Sequence, residues 1–163
     1  MIALRNKNMN VKDTAKMQYV QIVNRTAEQI TSVKTPAEGW LSMFRKALGM
    51  SGADVAARSG VSRNAIYQAE RNERDGVITL NQMHKLAEAM GGHLVYAIVP
   101  KERRVEEIIQ AQAHRKAQAR IMRASEHMTF EQKSLTREQT KMRVANLTNE
   151  LMRNMPPDFW SVK

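Results

Sequence analysis

The sequence predicts a mainly α fold: a helix-turn-helix unit, one β-strand after it, and extra helices on its N- and C-terminal sides. Three observations lead there. Apolar residues recur at spacings of three and four through several stretches, the period of a helix with one buried face. The run from Arg45 to Arg71 holds two short helical patterns joined by a glycine-containing turn. His93-Leu-Val-Tyr-Ala-Ile-Val99, closed by Pro100, is rich in β-branched and aromatic residues and reads as a strand.

Taken in order, residues 1–13 are polar and irregular. From Thr14 to Val33 the apolar positions Met17, Val20, Val23, Ala27 and Ile30 describe one helical face. Thr35-Pro-Ala-Glu38 has the form of a capping box with proline at the first helical position, where its missing N–H does no harm. The helix expected after it buries Trp40, Phe44, Ala47 and Leu48 and stops at Gly49. Ser51 caps the next helix, with Asp54 as the acidic member of its box, and Val55 and Ala56 face inward. Gly60 stands where the chain leaves that helix in a left-handed conformation, at little cost for glycine. Ser62 caps the helix that follows, and Ile66 is its buried anchor.

Asp75-Gly76 marks a turn, and Thr79 caps a helix with Leu80, Met83, Leu86, Ala87 and Met90 inside, ended by Gly91-Gly92. A lone strand at 93–99 leaves its edges unpaired, which is costly. The same strand of a second subunit is the preferred partner, making Leu94, Val95, Tyr96, Ala97 and Ile98 a dimerisation segment; Ile2-Ala-Leu4 is the weaker choice. Beyond Pro100, Val105, Ile108, Ile109, Ala113, Ala117 and Ile121 mark a long helix whose other face carries a basic stripe of Lys116, Arg120 and Arg123. Thr136-Arg-Glu-Gln139 is a further capping box, opening a helix with Met142, Val144, Ala145, Leu147, Leu151 and Met152. Pro156-Pro157 ends it before Phe159-Trp160, which either dock on their own subunit or anchor a partner. The expected organisation is an N-terminal extension with one helix (1–35), a helix-turn-helix domain (36–92), a dimerisation strand (93–100) and a C-terminal helical region (101–163).

The second helix of the motif turns Arg63, Asn64, Tyr67 and Gln68 outward, and these are base-reading types. A bidentate arginine matches guanine O6/N7, and Asn or Gln matches adenine N6/N7. Tyr67 suits a thymine methyl or a phosphate. Ser62 at the helix start, with Arg71, Asn72 and Arg74 at its exit, are candidates for phosphate contacts, which fix register without reading sequence.

Composition narrows the classes further. The chain has 163 residues and no cysteine, which excludes disulfides, thiolate zinc sites and cysteine nucleophiles. No apolar run approaches the ~18 residues that span a bilayer, and no signal-peptide pattern opens the chain, so a cytoplasmic, nucleoid-associated protein is expected. Net charge is +10, unevenly spread. Residues 1–36 carry six Lys/Arg against two Asp/Glu, residues 37–100 seven against six, and residues 101–163 thirteen against eight. The flanks therefore supply a positive field that favours polyanions, and with the motif it implies salt-dependent DNA affinity. His84, His93, His114 and His127 share no metal-ligand spacing, and no phosphate-cradling glycine loop or nucleophile motif occurs. Neither an enzyme nor a metal or other cofactor is expected.

Arg45, Leu48-Gly49, Ala53-Asp-Val-Ala56, Gly60-Val-Ser62, Ile66, Glu70 and the Leu80…Leu86-Ala87 helix resemble the five-helix DNA-binding domain of the phage repressor and Cro family, the lambda-repressor-like fold. The resemblance implies a structural ion pair between Arg45 and Glu70. It also exposes a departure: the family often has glutamine at the start of the motif's first helix, touching phosphate, where this chain has Gly52, so Ser51 becomes the candidate phosphate contact. Over residues 36–135 the chain is similar to a narrower group, the mobile mystery protein A family. That likeness rests on Gly39-Trp40, Arg45-Lys-Ala-Leu-Gly-Met50, Asp75-Gly-Val-Ile-Thr-Leu80, His93-Leu-Val-Tyr-Ala-Ile-Val-Pro100 and Ala111-Gln-Ala113. It implies a two-gene, toxin–antitoxin-like module with a Fic-domain protein as partner. The Fic-inhibiting pattern of Ser/Thr, three residues, Glu, then Gly/Asn does not occur in the chain.

Two functional expectations follow. One is a dimeric repressor acting on an inverted-repeat operator in double-stranded DNA, since a two-fold dimer places its reading helices about one DNA turn apart. The other is an antitoxin-type protein that binds its partner through the C-terminal helices.

Overall fold

In the computed structural model, residues 10–130 and 135–161 are described, and helices account for most of them. The elements are α1 (Val11–Ile30), α2 (Trp40–Ala47), α3 (Gly52–Ser59), α4 (Arg63–Arg74), α5 (Leu80–Ala89), α6 (Val105–Phe130) and α7 (Arg137–Asn154). They divide into two units. One runs from Ile30 to Ala97; the other joins the described residues up to Gln29 with those from Ile98 onward.

The Ile30–Ala97 unit is built on Leu41, Val55, Ala56, Ile66, Ala69, Leu86 and Met90, one buried cluster drawn from α2, α3 and α4 together with α5 and its C-cap. Local chemistry sets its helix ends. Ser51 and Asp54 form a reciprocal capping box, Ser62 accepts the Ala65 N–H at 3.1 Å, and Thr79 accepts the Gln82 N–H at 3.1 Å. Gly60 closes α3 at φ 72°, a left-handed conformation that a Cβ would strain.

The start of α2 departs from the sequence reading. Thr35 and Glu38 do not form the expected box; the helix begins at Trp40 with Gly39 at the N-cap and no side-chain cap from its own end. Residues 36–39 turn back instead, with the Gly39 N–H on the Pro36 carbonyl. Two orphan donors of α2 are satisfied from α4: Glu73 accepts the N–H groups of Trp40 at 2.5 Å and Leu41 at 2.9 Å. The face that α2 buries also differs from the expected one. Leu41, Ser42 and Arg45 are the buried positions, while Trp40, Phe44, Ala47 and Leu48 are exposed. In α5, Leu86 and Met90 are buried as expected, but Leu80 is exposed.

Four helices, not five, lie between residues 36 and 92. Nor does residue range 93–99 form a strand; among the described residues there is none. The reason is the one that makes a lone strand costly: the chain supplies no neighbour to complete a ladder. Leu94, Val95, Tyr96, Ala97 and Ile98 therefore carry no regular structure, and Val95, Tyr96 and Ile98 are 74%, 69% and 91% exposed. The alternative partner Ile2-Ala-Leu4 lies outside the described residues. Trp40, Phe44, Met83 and Ala87 border an apolar groove with residues 92–97, about 710 Å³ in volume, in which Phe44 packs on Gly92.

In the other unit α6 lies along α7, with Ala113 and Ala117 fully covered against Val144, Leu151 and Phe159. Thr136 and Gln139 cap α7 reciprocally, and α7 ends before Pro156-Pro157. α1 starts at Val11, inside the stretch read as irregular, and its stripe includes buried Asn24. Asn24 accepts the Val105 N–H at 2.9 Å and donates to Glu106 at 2.8 Å, capping α6 from another element. Lys116 is not on a solvated stripe: it is buried and pairs with Asp158, which also takes Arg120 at 3.4 Å. Phe159 is buried on its own subunit, with its carbonyl accepting from Gln112 at 2.7 Å, whereas Trp160 stays half exposed.

Candidate nucleic-acid interface

The expected site residues gather on α4 and the starts of its two neighbouring turns. α4 is anchored through Ile66 and Ala69, 2% and 1% exposed, against Val55 and the rest of the core. With a period of 3.6 residues, that burial forces Asn64, Gln68 and Arg71 onto the opposite side, while Arg63 stands at the open first position of the helix, and all four are exposed. Arg74 is exposed at the helix end.

The charge of this face differs from that of the stretch as a whole. Residues 37–100 are almost balanced in sequence. In space the two acids of α4 turn inward: Glu70 is buried against Arg45, and half-buried Glu73 caps α2. Arg63, Arg71 and Arg74 are left outside, so the surface that α4 presents is basic although its segment is not.

Arg45 and Glu70 meet in a bidentate pair, Nε to Oε1 at 2.6 Å and Nη2 to Oε2 at 3.1 Å, and Arg45 also donates to the Met50 carbonyl at 3.0 Å. The hydrogen bond to Glu70 is the main reason that the Arg45 guanidinium is held above its ordinary pKa, against the opposing effect of burial. Planar fork geometry suits arginine here and would not suit lysine. These two residues hold α2 to α4 and are not turned outward.

Gln68 donates to Asn72 at 2.8 Å and accepts from Arg71 at 2.7 Å. A carboxamide has two N–H groups and two lone pairs, so one of each remains for an adenine edge. Base-reading and phosphate-holding candidates are thus joined into one hydrogen-bonded row along α4. Asn64 lies exposed one turn before it.

Tyr67 sits differently from the other base-contact candidates. It is half-buried, with its ring against the first residue of α3: a Cβ built on Gly52 would stand 2.6 Å from the ring's Cζ. The guanidinium carbons of Arg45 and Arg63 each lie 5.6 Å from its centroid. Hydrogen bonding from Arg63 is the leading cause holding its phenol below the ordinary range.

The two serines assigned to phosphate have local work. Ser51 donates its hydroxyl to Asp54 at 2.6 Å and accepts the Asp54 N–H at 3.2 Å, so its proton is committed. That hydroxyl and the Ser51 backbone N–H, which donates to the same carboxylate at 2.7 Å, keep the Asp54 carboxyl below its usual range, placing a negative charge where Ser51 was expected to meet a phosphate. Ser62 is spent on its own helix start but keeps a hydroxyl proton to give.

Three residues that were not among the expected contacts shape the site. Glu73 caps α2, Arg58 donates to the Ala89 carbonyl at 2.6 Å, and Gly52 admits the Tyr67 ring. Only Gly52 carried a sequence signal, as the departure from glutamine. Among the described residues no cluster of His, Cys, Asp or Glu could hold a metal ion, and no described helix is long and apolar enough to cross a membrane.

A helix-turn-helix family model matches residues 41–96, spanning α2 to α5 and the segment after them. No curated protein and no solved structure matches the chain. Residues 41–96 are a helix-turn-helix domain, and that domain points to a DNA-binding regulator.

Proposed function

We propose that the chain is a sequence-specific transcriptional repressor that binds double-stranded DNA as a homodimer on an inverted-repeat operator. The observation behind this is the surface of α4: Asn64 and Gln68 exposed opposite Ile66 and Ala69, Arg63 exposed at the helix start, and both acids of the helix turned inward. Arg63, Asn64 and Gln68 read base edges, with Arg71, Asn72, Arg74 and Ser62 on the phosphates. Sequence selection from random duplexes with the full chain tests it. A preferred site with two-fold symmetry is expected, and its loss when Arg63, Asn64 and Gln68 are replaced together by alanine. Binding indifferent to that triple replacement would sink the reading.

Dimerisation is assigned to Leu94, Val95, Tyr96, Ala97 and Ile98. The support is the exposure of Val95, Tyr96, Ala97 and Ile98 without a ladder, and the apolar groove that Leu94 to Ala97 border in their own unit. Pairing with a second copy would satisfy the backbone and cover those side chains in one step. A single-chain mass in solution at micromolar concentration removes this assignment.

A second reading, an antitoxin-like component that binds a Fic-domain protein through the C-terminal helices, is compatible with the first. It draws on the family resemblance and on one feature of the unit that holds α6 and α7. There a groove of about 300 Å³, lined by Tyr19, Val20, Val23, Ile108 and Ile109, has exposed Trp160 at its edge. Exposed tryptophans concentrate binding energy. Because Phe159 is core, truncating the tail would confuse folding with binding. Trp160→Ala is the cleaner test: loss of partner capture with operator binding intact supports two separate roles, and unchanged capture removes this one.

A further inference from the structure

Tyr67 is hemmed in on three sides. Beneath it, the backbone of Gly52 leaves no room for a side chain: a Cβ there would lie 2.6 Å from Cζ and 2.8 Å from the phenol oxygen. Behind it stands Arg45, 8% exposed and fixed by Glu70 and by the Met50 carbonyl. Arg63, exposed at the first position of α4, closes the third side, its guanidinium 5.6 Å from the ring centroid. A ring held this tightly is poorly placed to travel to a base, but well placed to hold something that does.

We propose that Tyr67 is a positioning residue: it braces the Arg63 guanidinium so that Arg63 reads one base pair, and does not read a base itself. This rests on the DNA-binding reading above. Free arginine side chains have many rotamers, and docking one into a groove costs that freedom. A guanidinium already leaning on a phenol has less to lose and keeps further N–H donors for guanine O6 and N7. The lowered pKa of the phenol agrees with this contact, since Arg63 is its leading cause. Gly52 then has a reason of its own, because any larger residue would push the brace aside.

The test uses the full chain and a duplex carrying its selected site. Arg63→Ala identifies the base pair that Arg63 reads, with an expected loss of discrimination there of about 5- to 150-fold. Tyr67→Phe keeps the ring and removes the hydroxyl. It should lower discrimination at that same base pair by at least about threefold, leave other positions alone, and leave the slope of log affinity against log salt unchanged. Combined with Arg63→Ala it should add nothing. Unaltered discrimination in Tyr67→Phe overturns the proposal; so does a loss at a different base pair, which would make Tyr67 a reader. A salt slope reduced by about one also overturns it, since that would make Tyr67 a phosphate contact. If Tyr67→Phe does not fold, titration of the Tyr67 phenol decides: Arg63→Ala should raise its midpoint, and no rise overturns the contact. A wild-type chain that selects no site removes the underlying reading together with this one. A selected site that Tyr67→Phe reads unchanged removes this one alone.

Discussion

Glu73, in the last turn of α4, accepts the backbone N–H of Leu41 at the start of α2 at 2.9 Å. The residues are 32 apart in sequence, and the same carboxylate takes Trp40 as well. One helix of the motif thus caps a helix outside it, and the carboxylate meets the positive end of the α2 dipole. Glu73→Ala should destabilise the domain by about 1–3 kcal/mol, the range for losing a cap or a charge-assisted hydrogen bond. Glu73→Gln should recover part of it. Urea unfolding followed by Trp40 fluorescence in a Trp160→Phe background measures this, and an unmoved midpoint for Glu73→Ala would rule the cap out.

The Arg45–Glu70 pair should behave asymmetrically. Removing one partner strands a buried charge, so Arg45→Ala or Glu70→Ala should each cost about 3–5 kcal/mol. Replacing both with apolar residues of similar volume, Arg45→Met with Glu70→Leu, should cost far less than the sum of the two. Additive losses in a double-mutant cycle would contradict a coupled pair.

Gly52→Ala tests the close approach of Tyr67. Its methyl would meet the ring at 2.6 Å, well inside contact distance. Overpacking of this kind costs about 1–3 kcal/mol. Tyr67→Leu in the same chain should give most of that back. Should Gly52→Ala melt like the wild type, the ring is free to move and the brace on Arg63 is loose.

Acid should loosen the unit that contains Asp158. Lys116, foremost by a hydrogen bond, holds that carboxyl below its ordinary value of about 3.9. A depressed folded value means that the folded state binds fewer protons than the unfolded one between the two pKa values. Its contribution is therefore whole above about pH 4 and lost as pH falls through the folded value. Asp158→Asn should melt lower at pH 7 and depend less on pH below 4. Asp54, held down by Ser51 in the other unit, provides a comparison that the substitution should not alter. Parallel pH profiles for wild type and Asp158→Asn would count against the Lys116 contact.

Most of the candidate interface was legible because its chemistry is short-range. The caps at Ser51, Ser62, Thr79 and Thr136 each reach three residues ahead, a distance any sequence window spans. Ile66 as anchor with Asn64 and Gln68 outside follows from helical period, and Arg63 outside from its place just after the Ser62 cap. The α2 face was not legible in the same way. Trp40 and Phe44 are the larger apolar residues, and hydrophobicity favours burying them. In the fold Leu41 and Arg45 are inside instead, and Glu73, 32 residues from Leu41, caps the helix start. The type and spacing of Tyr67 suit a base reader, whereas the approach of its ring to the Gly52 backbone depends on a residue one helix away and left no mark in the local pattern.

By itself, then, the chain's order of residues determined where helices begin and end on either side of the Gly60 turn, and which side of α4 meets the core. Those outcomes depend on hydrogen bonds within one turn and on a repeat of 3.6 residues. Tertiary structure decided what distant groups do: Glu73 on Leu41, Asn24 on Val105, Lys116 on Asp158, Tyr67 over Gly52. It also decided that residues 93–99 remain without a ladder. Each of these turns on which groups the folded chain brings within about 3–4 Å, and neither a capping pattern nor a hydrophobic period carries that information.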